Sequence, residues 1–158
     1  MRLAIALLLA YASVTTAEAR QTSAKPRVSA CALLTKDLVV QHTPYTKESQ
    51  KVLMQFQPEE EAVGTAGSMC SYLGVTFQLD PFAAPQRLEA DMAKTWTPSV
   101  GLGDVSFFRD NKGEWAELYV RKGHRVITLQ VDVPDGCTAA EIKPNTIALG
   151  KALLARLG

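Results

Sequence analysis

Two short turn sequences constrain the fold of this chain more than any other feature. Residues 110–113 read Asp-Asn-Lys-Gly, and Lys122-Gly123 lies one strand's length further on. Such sequences favour tight turns, because glycine and asparagine adopt backbone conformations that other residues avoid. Apolar and polar residues alternate around both turns, which is typical of half-buried strands. Residues 105–133 are therefore predicted to form three antiparallel strands.

The second turn also predicts how the last two strands pair. If Arg121 faces His124 across the two residues Lys122-Gly123, then Leu118 faces Ile127. The apolar residues of both strands then share one face of the sheet without any adjustment.

The rest of the chain supplies a fourth strand and three helices. Residues 71–79 alternate between apolar and polar side chains and predict a strand. Helices are predicted at 35–41, at 85–94 and after Thr138, which begins a capping-box pattern. Residues 43–69 contain prolines, glycines and consecutive glutamates and predict a long irregular connection. The expected fold class is α+β, with one antiparallel sheet of about four strands and helices packed on one face.

The N-terminal residues have the organisation of a cleavable signal peptide. Arg2 is followed by an apolar run over residues 3–10, and Ala17-Glu18-Ala19 supplies the small residues that a signal peptidase recognises. The run is shorter than the roughly 20 apolar residues that span a bilayer. The predicted organisation is a signal peptide at 1–19, a flexible leader at 20–30 and a single α+β domain at 31–158. The mature protein is therefore expected to be periplasmic or secreted, with no membrane span.

One segment resembles a different export signal, the processing site of a lipoprotein. Val28-Ser29-Ala30-Cys31 has the residue types of a lipoprotein processing site, which would leave an acylated Cys31 at the N-terminus. Such a site should follow the apolar run directly, whereas basic residues and a proline intervene between Arg20 and Arg27. A lipid anchor is therefore not expected.

Charge and spacing argue against several function classes. The chain has 17 basic and 16 acidic residues, a net charge of +1, so it has no electrostatic footprint for nucleic acid. Neither His42 nor His124 has a metal-ligating partner at the usual helical or strand spacing, and no metal or cofactor is expected. The basic cluster at the second turn is interpreted as a solvent-exposed tip. It comprises Arg121, Lys122, His124 and Arg125.

The three cysteines of the mature chain allow at most one intramolecular disulfide. We favour Cys31 with Cys70, because that bond would fasten the N-terminal segment to the first strand. Pairing of Cys70 with Cys137, or no bond, remains an alternative. The remaining Cys137 precedes a helix, where a thiol pKa can fall. Nothing in the sequence supplies it with a base, so we expect no catalytic residues.

The second face of the sheet is the candidate binding surface, because exposed aromatics among polar groups are typical of such surfaces. The predicted register places Trp115, Glu117 and Tyr119 opposite Gln130, Thr128 and Val126. The candidate binding residues are Tyr72, Thr76, Trp115, Glu117, Tyr119 and Gln130. The competing interpretation is that the connection at 43–69 simply covers this face.

Three short motifs and the terminal helix resemble a known family. The motifs are Cys31-Ala32-Leu33-Leu34-Thr35, Cys70-Ser71-Tyr72 and Gly101-Leu102-Gly103-Asp104. They are similar to those of a family of small exported bacterial proteins and lipoproteins of unknown function. The resemblance implies an exported α+β domain with a bridge between the first two cysteines, and it implies no activity. Members often carry a lipid anchor, and this chain departs from them by its ordinary cleavage site.

Two function classes follow from these observations. The first is a non-catalytic exported domain that binds a protein, a peptide or a small ligand, because no acid, base, nucleophile or metal constellation is assembled in the sequence. The alternative is a cell-envelope hydrolase or a thiol-dependent enzyme that uses Cys137.

We predict that the exported protein begins at Arg20, because cleavage after Ala19 satisfies the small-residue rule. Intact-mass measurement of the purified mature protein checks this. An unprocessed Met1, or a diacylglycerol group on Cys31, would contradict the predicted cleavage.

Overall fold

The computed structural model describes residues 28–64, 67–99 and 101–158. The predicted signal peptide and most of the predicted leader lie outside the described residues. Within them, five helices and seven strands follow one another along the chain. In order they are α1 (Ala30–Leu33), α2 (Lys36–His42), α3 (Lys47–Leu53), β1 (Glu59–Val63), β2 (Gly67–Tyr72), β3 (Val75–Leu79), α4 (Pro85–Thr95), β4 (Thr97–Pro98), β5 (Val105–Asn111), β6 (Trp115–Lys122), β7 (Arg125–Asp132) and α5 (Ala139–Arg156).

The strands form one antiparallel sheet in the order β1-β2-β3-β7-β6-β5-β4. The chain is α+β, but the expectation of about four strands is wrong, because the sheet has seven. Two of the additional strands, β1 and β2, lie mostly in residues 43–69, where the sequence predicted an irregular connection. β1 gave no alternating signal because most of its side chains are exposed on both faces at the edge of the sheet.

The predicted strand at 71–79 is a hairpin rather than a single strand. Leu73 and Gly74 form its turn, with Gly74 at a φ of 71°, and Tyr72 pairs directly with Val75. Because the turn contains two residues, apolar and polar residues continue to alternate through it. The sequence pattern is therefore the same as that of one continuous strand. Paired residues share a face, and the turn therefore moves Tyr72 to the face opposite Thr76.

The meander of β5, β6 and β7 is confirmed, with its second turn displaced by one residue. Lys122 pairs with Arg125, so Gly123 and His124 form the turn, and Leu118 pairs with Leu129 instead of Ile127. Moving the turn by one residue shifts each partner by two. Since side chains alternate with a period of two, every residue keeps its predicted face.

The larger core lies on one side of the sheet, named here the α5 face and marked by Ala116, Leu118 and Val120 of β6. α5 packs there and begins at a complete capping box between Thr138 and Glu141. Helices α1, α2 and α3 bury apolar side chains in the same core. These are Leu33, Leu38, Val39 and Leu53.

A glycine lies where α5 contacts the sheet. A Cβ atom added to Gly150 would lie 2.6 Å from Cδ2 of Leu118, which is closer than nonbonded carbon atoms approach. A side chain at this position would therefore displace either the Leu118 side chain or α5 itself.

The remaining long helix, α4, lies on the opposite side of the sheet, named here the α4 face and marked by Glu117 and Tyr119 of β6. Met92 of α4 packs in a second, smaller core with Phe107, Tyr119 and Val126. The expectation that all helices cover one face is therefore wrong. Helical spacing identifies an apolar stripe, but it does not indicate which face of a sheet that stripe covers.

Cys31 and Cys70 form a disulfide between α1 and β2, which is the pairing that the sequence favoured. The backbone N–H of Ala30 also donates to the Ser68 hydroxyl at 2.7 Å. Cys137 is a free, partly buried thiol. Among the described residues, no helix is both long and apolar enough to cross a membrane.

Replacing Cys31 and Cys70 together with serine should lower the free energy of unfolding by about 3 to 4 kcal/mol, because the bond closes a long loop in the unfolded chain. Chemical denaturation under oxidising conditions measures the loss. The matched control Cys137→Ser should change it little, since this thiol makes no bond. Equal stability of the double variant and the control would contradict a structural role for the bridge.

Candidate functional site

A row of polar side chains crosses the α4 face at right angles to the strands. Each member pairs directly with the next, through the registers of β1 with β2, β2 with β3, β3 with β7, β7 with β6 and β6 with β5. This polar row consists of Glu59, Ser71, Thr76, Gln130, Glu117 and Arg109. Five strand spacings give it a length of roughly 24 Å. All six residues are at least partly accessible to solvent.

α4 packs over Tyr119 in the neighbouring row of the same face, which also contains Thr128 and Gln78, and leaves a cleft beside the polar row. This α4 cleft has a volume of about 240 Å³. Its floor carries polar side chains, and its wall, from α4 and the residues on either side of it, is apolar. The polar floor residues are Thr76, Gln78, Glu117, Thr128 and Gln130, with Leu118 and Leu129 also lining the cleft, and the wall residues are Phe82, Leu88, Met92 and Trp96.

Three of the predicted binding residues, Thr76, Glu117 and Gln130, line the α4 cleft. Trp115 lies on the same face at the start of β6, opposite Asp132. It is half-buried, and its indole Nε1 is buried with no hydrogen-bond partner among the described residues.

Two predicted binding residues are not available on an open surface. Tyr72 lies in the core of the α5 face, where its hydroxyl donates to the carbonyl of Leu53. Tyr119 is on the predicted face but is fully buried beneath α4. The described residues between 43 and 69 mostly form α3, β1 and part of β2, and of those outside these elements Phe56 and Gln57 line one end of the α4 face.

Glu89 of α4 fastens the helix to the sheet. Its carboxylate accepts from the hydroxyl of Tyr119 at 2.7 Å and from Nε of Arg121 at 2.6 Å. The hydrogen bond from Arg121, together with that from Tyr119 and the guanidinium charge, lowers the pKa of Glu89 against the effect of burial. Burial, followed by the hydrogen bond to Glu89, raises the pKa of the Tyr119 hydroxyl. The carboxylate is therefore ionised and the phenol neutral at pH 7.

At one end of the polar row, Arg109 neutralises Glu117. The guanidinium donates to Oε2 of Glu117 through Nε at 2.7 Å and also through Nη2. It also lies 4.5 Å from the ring centre of Trp96, a cation–π distance. The ion pair therefore joins the sheet to Trp96, the residue that follows α4.

The middle of the polar row has unused hydrogen-bonding groups. The side chains of Ser71, Thr76 and Gln130 make no hydrogen bond to another described residue. In the neighbouring row, by contrast, the Thr128 hydroxyl donates to Oε1 of Gln78 at 3.2 Å. Gln130 can donate two hydrogen bonds and accept two, and Thr76 can do both. These groups can hydrogen-bond a ligand without breaking a bond within the protein.

The other chemistry considered from the sequence lies away from this cleft. Cys137 lies in the loop before α5 and is not among the residues that line the cleft. Two cations of the predicted basic tip are paired, Arg121 with Glu89 and Arg125 with Asp80. Among the described residues, no group of three histidine, cysteine or acidic side chains is placed to hold a metal ion.

Sequence reasoning missed the wall of the cleft. Leu88 and Met92 are four residues apart, and this spacing indicates a helix with an apolar side. Only the fold shows that this side packs over Tyr119. Trp96 follows the predicted helix and carried no signal of its own.

No protein-family model, no curated protein and no solved structure matches this chain.

Replacing Glu89 with glutamine should lower the free energy of unfolding at pH 7 by about 1 to 3 kcal/mol, because Arg121 loses a partly buried anionic partner. The stabilisation from a lowered carboxyl pKa is complete above the ordinary value of about 4.3, and it is lost as the pH falls through the lowered value. The difference from wild type should therefore shrink in acid. Denaturation of both proteins from pH 7 to pH 2 measures it.

Glu114→Gln is the matched control, because this glutamate is exposed and has no ion pair in the described part of the chain. An equal, pH-independent effect of both substitutions would show that Glu89 does not fasten α4 to the sheet.

Proposed function

We propose that this protein is a non-catalytic exported binding module and that its ligand occupies the α4 cleft. The observation that carries the proposal is the pairing of unused hydrogen-bonding groups on Thr76 and Gln130 with an apolar wall on α4. Ligand sites characteristically combine apolar lining with a few placed polar groups.

The size of the cleft suggests what kind of group it accepts. An apolar cavity of about 150 Å³ is enough to hold benzene, so about 240 Å³ accommodates one ring-sized group. The wall of Leu88, Met92 and Trp96 would contact its apolar side. The amide of Gln130 and the hydroxyl of Thr76 would bind its polar side.

The charges at the cleft favour a neutral group over an ion. Among the described residues, Glu117 is the only carboxylate that lines the cleft, and Arg109 neutralises it. The other polar floor residues carry hydroxyls and amides, which bind uncharged polar groups without the cost of removing a charge from water.

The proposal that the protein is exported is supported by its sequence and by one disulfide bond. The disulfide between Cys31 and Cys70 fits an oxidising compartment. The signal peptide at 1–19 and the periplasmic or secreted location remain proposals, as does membership of the exported family that the motifs resemble.

A fragment screen by NMR tests the proposal. Uncharged compounds containing one ring should include binders that shift the side-chain amide resonances of Gln78 and Gln130. Gln130→Leu should weaken such a binder about fivefold to tenfold, the effect of removing one or two hydrogen bonds.

Gln41→Leu is the matched control, because Gln41 is exposed on α2, on the other side of the sheet. It should leave the affinity unchanged. Binders that shift Gln41 but not Gln78 or Gln130, or that bind Gln130→Leu as tightly as wild type, would show that the cleft is not the site.

A further inference from the structure

A second depression adjoins the α4 cleft over the other half of the polar row. This open groove has a volume of about 370 Å³ and is lined by Phe56, Glu59, Ser71 and Asp132, among others. Thr76 and Gln130 line both the cleft and the groove. The two depressions therefore adjoin each other along the polar row, with these two residues at their boundary, and together they are called the channel here.

From this arrangement of two adjoining depressions along one row we infer that the ligand is a linear, uncharged, hydroxyl-rich chain, that is, an oligosaccharide lying along the polar row. The inference rests on the proposed function and specifies its ligand. One sugar unit occupies the α4 cleft, and the following units lie over Thr76, Ser71 and Glu59.

The available groups favour hydroxyl-rich chains over extended peptides. Peptides that bind sheets usually pair with an edge strand through main-chain hydrogen bonds. β2, β3, β7 and β6 have neighbours on both sides, so their main-chain groups are already paired. The polar row offers side-chain hydroxyl, amide and carboxylate groups, which match the donors and acceptors of sugar hydroxyls.

Apolar side chains lie at both ends of this channel. Trp96 lines the α4 cleft, and Phe56, which is 50% exposed, lines the open groove. Aromatic rings provide flat apolar area, and this suits the apolar faces of sugar rings. Polar groups between two aromatic surfaces are therefore consistent with a chain of several rings.

The charges of the open groove indicate that the bound ligand is not anionic. Glu59 and Asp132 line the open groove and form no ion pair with another described residue, so they would repel phosphate, sulfate or uronate groups. The middle of the row, Ser71, Thr76 and Gln130, is uncharged and offers no partner to a regularly spaced polycation.

The test is a calorimetric titration of the mature protein with chito-, cello- and malto-oligosaccharides of one to five units. In at least one series, affinity should rise about tenfold or more from the monosaccharide to the pentasaccharide, because the longer chain reaches the open groove. Tetralysine and a sulfated tetrasaccharide serve as charged probes and should not bind.

Two substitutions separate the halves of the channel. Ser71 lines the open groove and not the cleft, whereas Thr128 lines the cleft and not the groove. Ser71→Ala should weaken the pentasaccharide about fivefold and leave the monosaccharide unchanged, as expected for one lost hydrogen bond. Thr128→Val should weaken both, and Gln41→Leu neither.

Three results would overturn the inference: affinity that does not depend on chain length, equal effects of Ser71→Ala on the shortest and longest sugars, or binding of a charged probe in place of the sugars. If no sugar series binds while single-ring fragments still bind at Gln130, the proposal of an oligosaccharide ligand is wrong and the cleft remains the proposed binding site. If neither sugars nor fragments bind there, both proposals fail.

Discussion

The register of the central strands β3, β7 and β6 decides which side chains share each face of the sheet. Thr76, Gln130 and Glu117 form one row because these three strands pair in register. Because side chains alternate along each strand, the neighbours of these residues fill the core of the α5 face. A shift of one residue would exchange the two sets and bury the polar row. The core therefore holds the row in place, although no member of the row belongs to the core.

The two faces differ in how completely helices cover them. On the α5 face, α5 and the three short N-terminal helices cover a continuous apolar core. On the other face, α4 covers only the smaller core around Tyr119 and is fastened by Glu89. This partial cover creates the α4 cleft and leaves the polar row accessible. The arrangement follows the general pattern in which a rigid scaffold presents a site at a place that its own packing does not fill.

The sequence predicted the parts of the fold that depend on local signals. The meander, the capping box at Thr138 and the favoured disulfide all appear in the structure. The sequence also places Thr76, Glu117 and Gln130 on the same face of the sheet as the structure does, because alternation fixes the faces within a strand. The failures come from nonlocal or ambiguous signals. The turn at Gly74 preserves alternation and so conceals a hairpin, which put Tyr72 on the wrong face. β1 has no buried face, so its sequence shows no alternation of apolar and polar residues. The side of the sheet that α4 covers depends on the packing of the whole fold and not on the residues of α4 alone. The sequence therefore predicts an exposed Tyr119, whereas Tyr119 is buried beneath α4.

The central claim is that the polar row is open while the other face of the same strands is sealed. Thiol labelling tests it most directly, in a Cys137→Ser background with the disulfide intact. Gln130→Cys on the polar row should react with a maleimide in the folded protein. Ala116→Cys on the α5 face, where Ala116 is 0% exposed, should react only as fast as the protein unfolds, whether locally or globally. Equal, slow labelling at both positions would contradict the account, because it would mean that the α4 face is sealed as well.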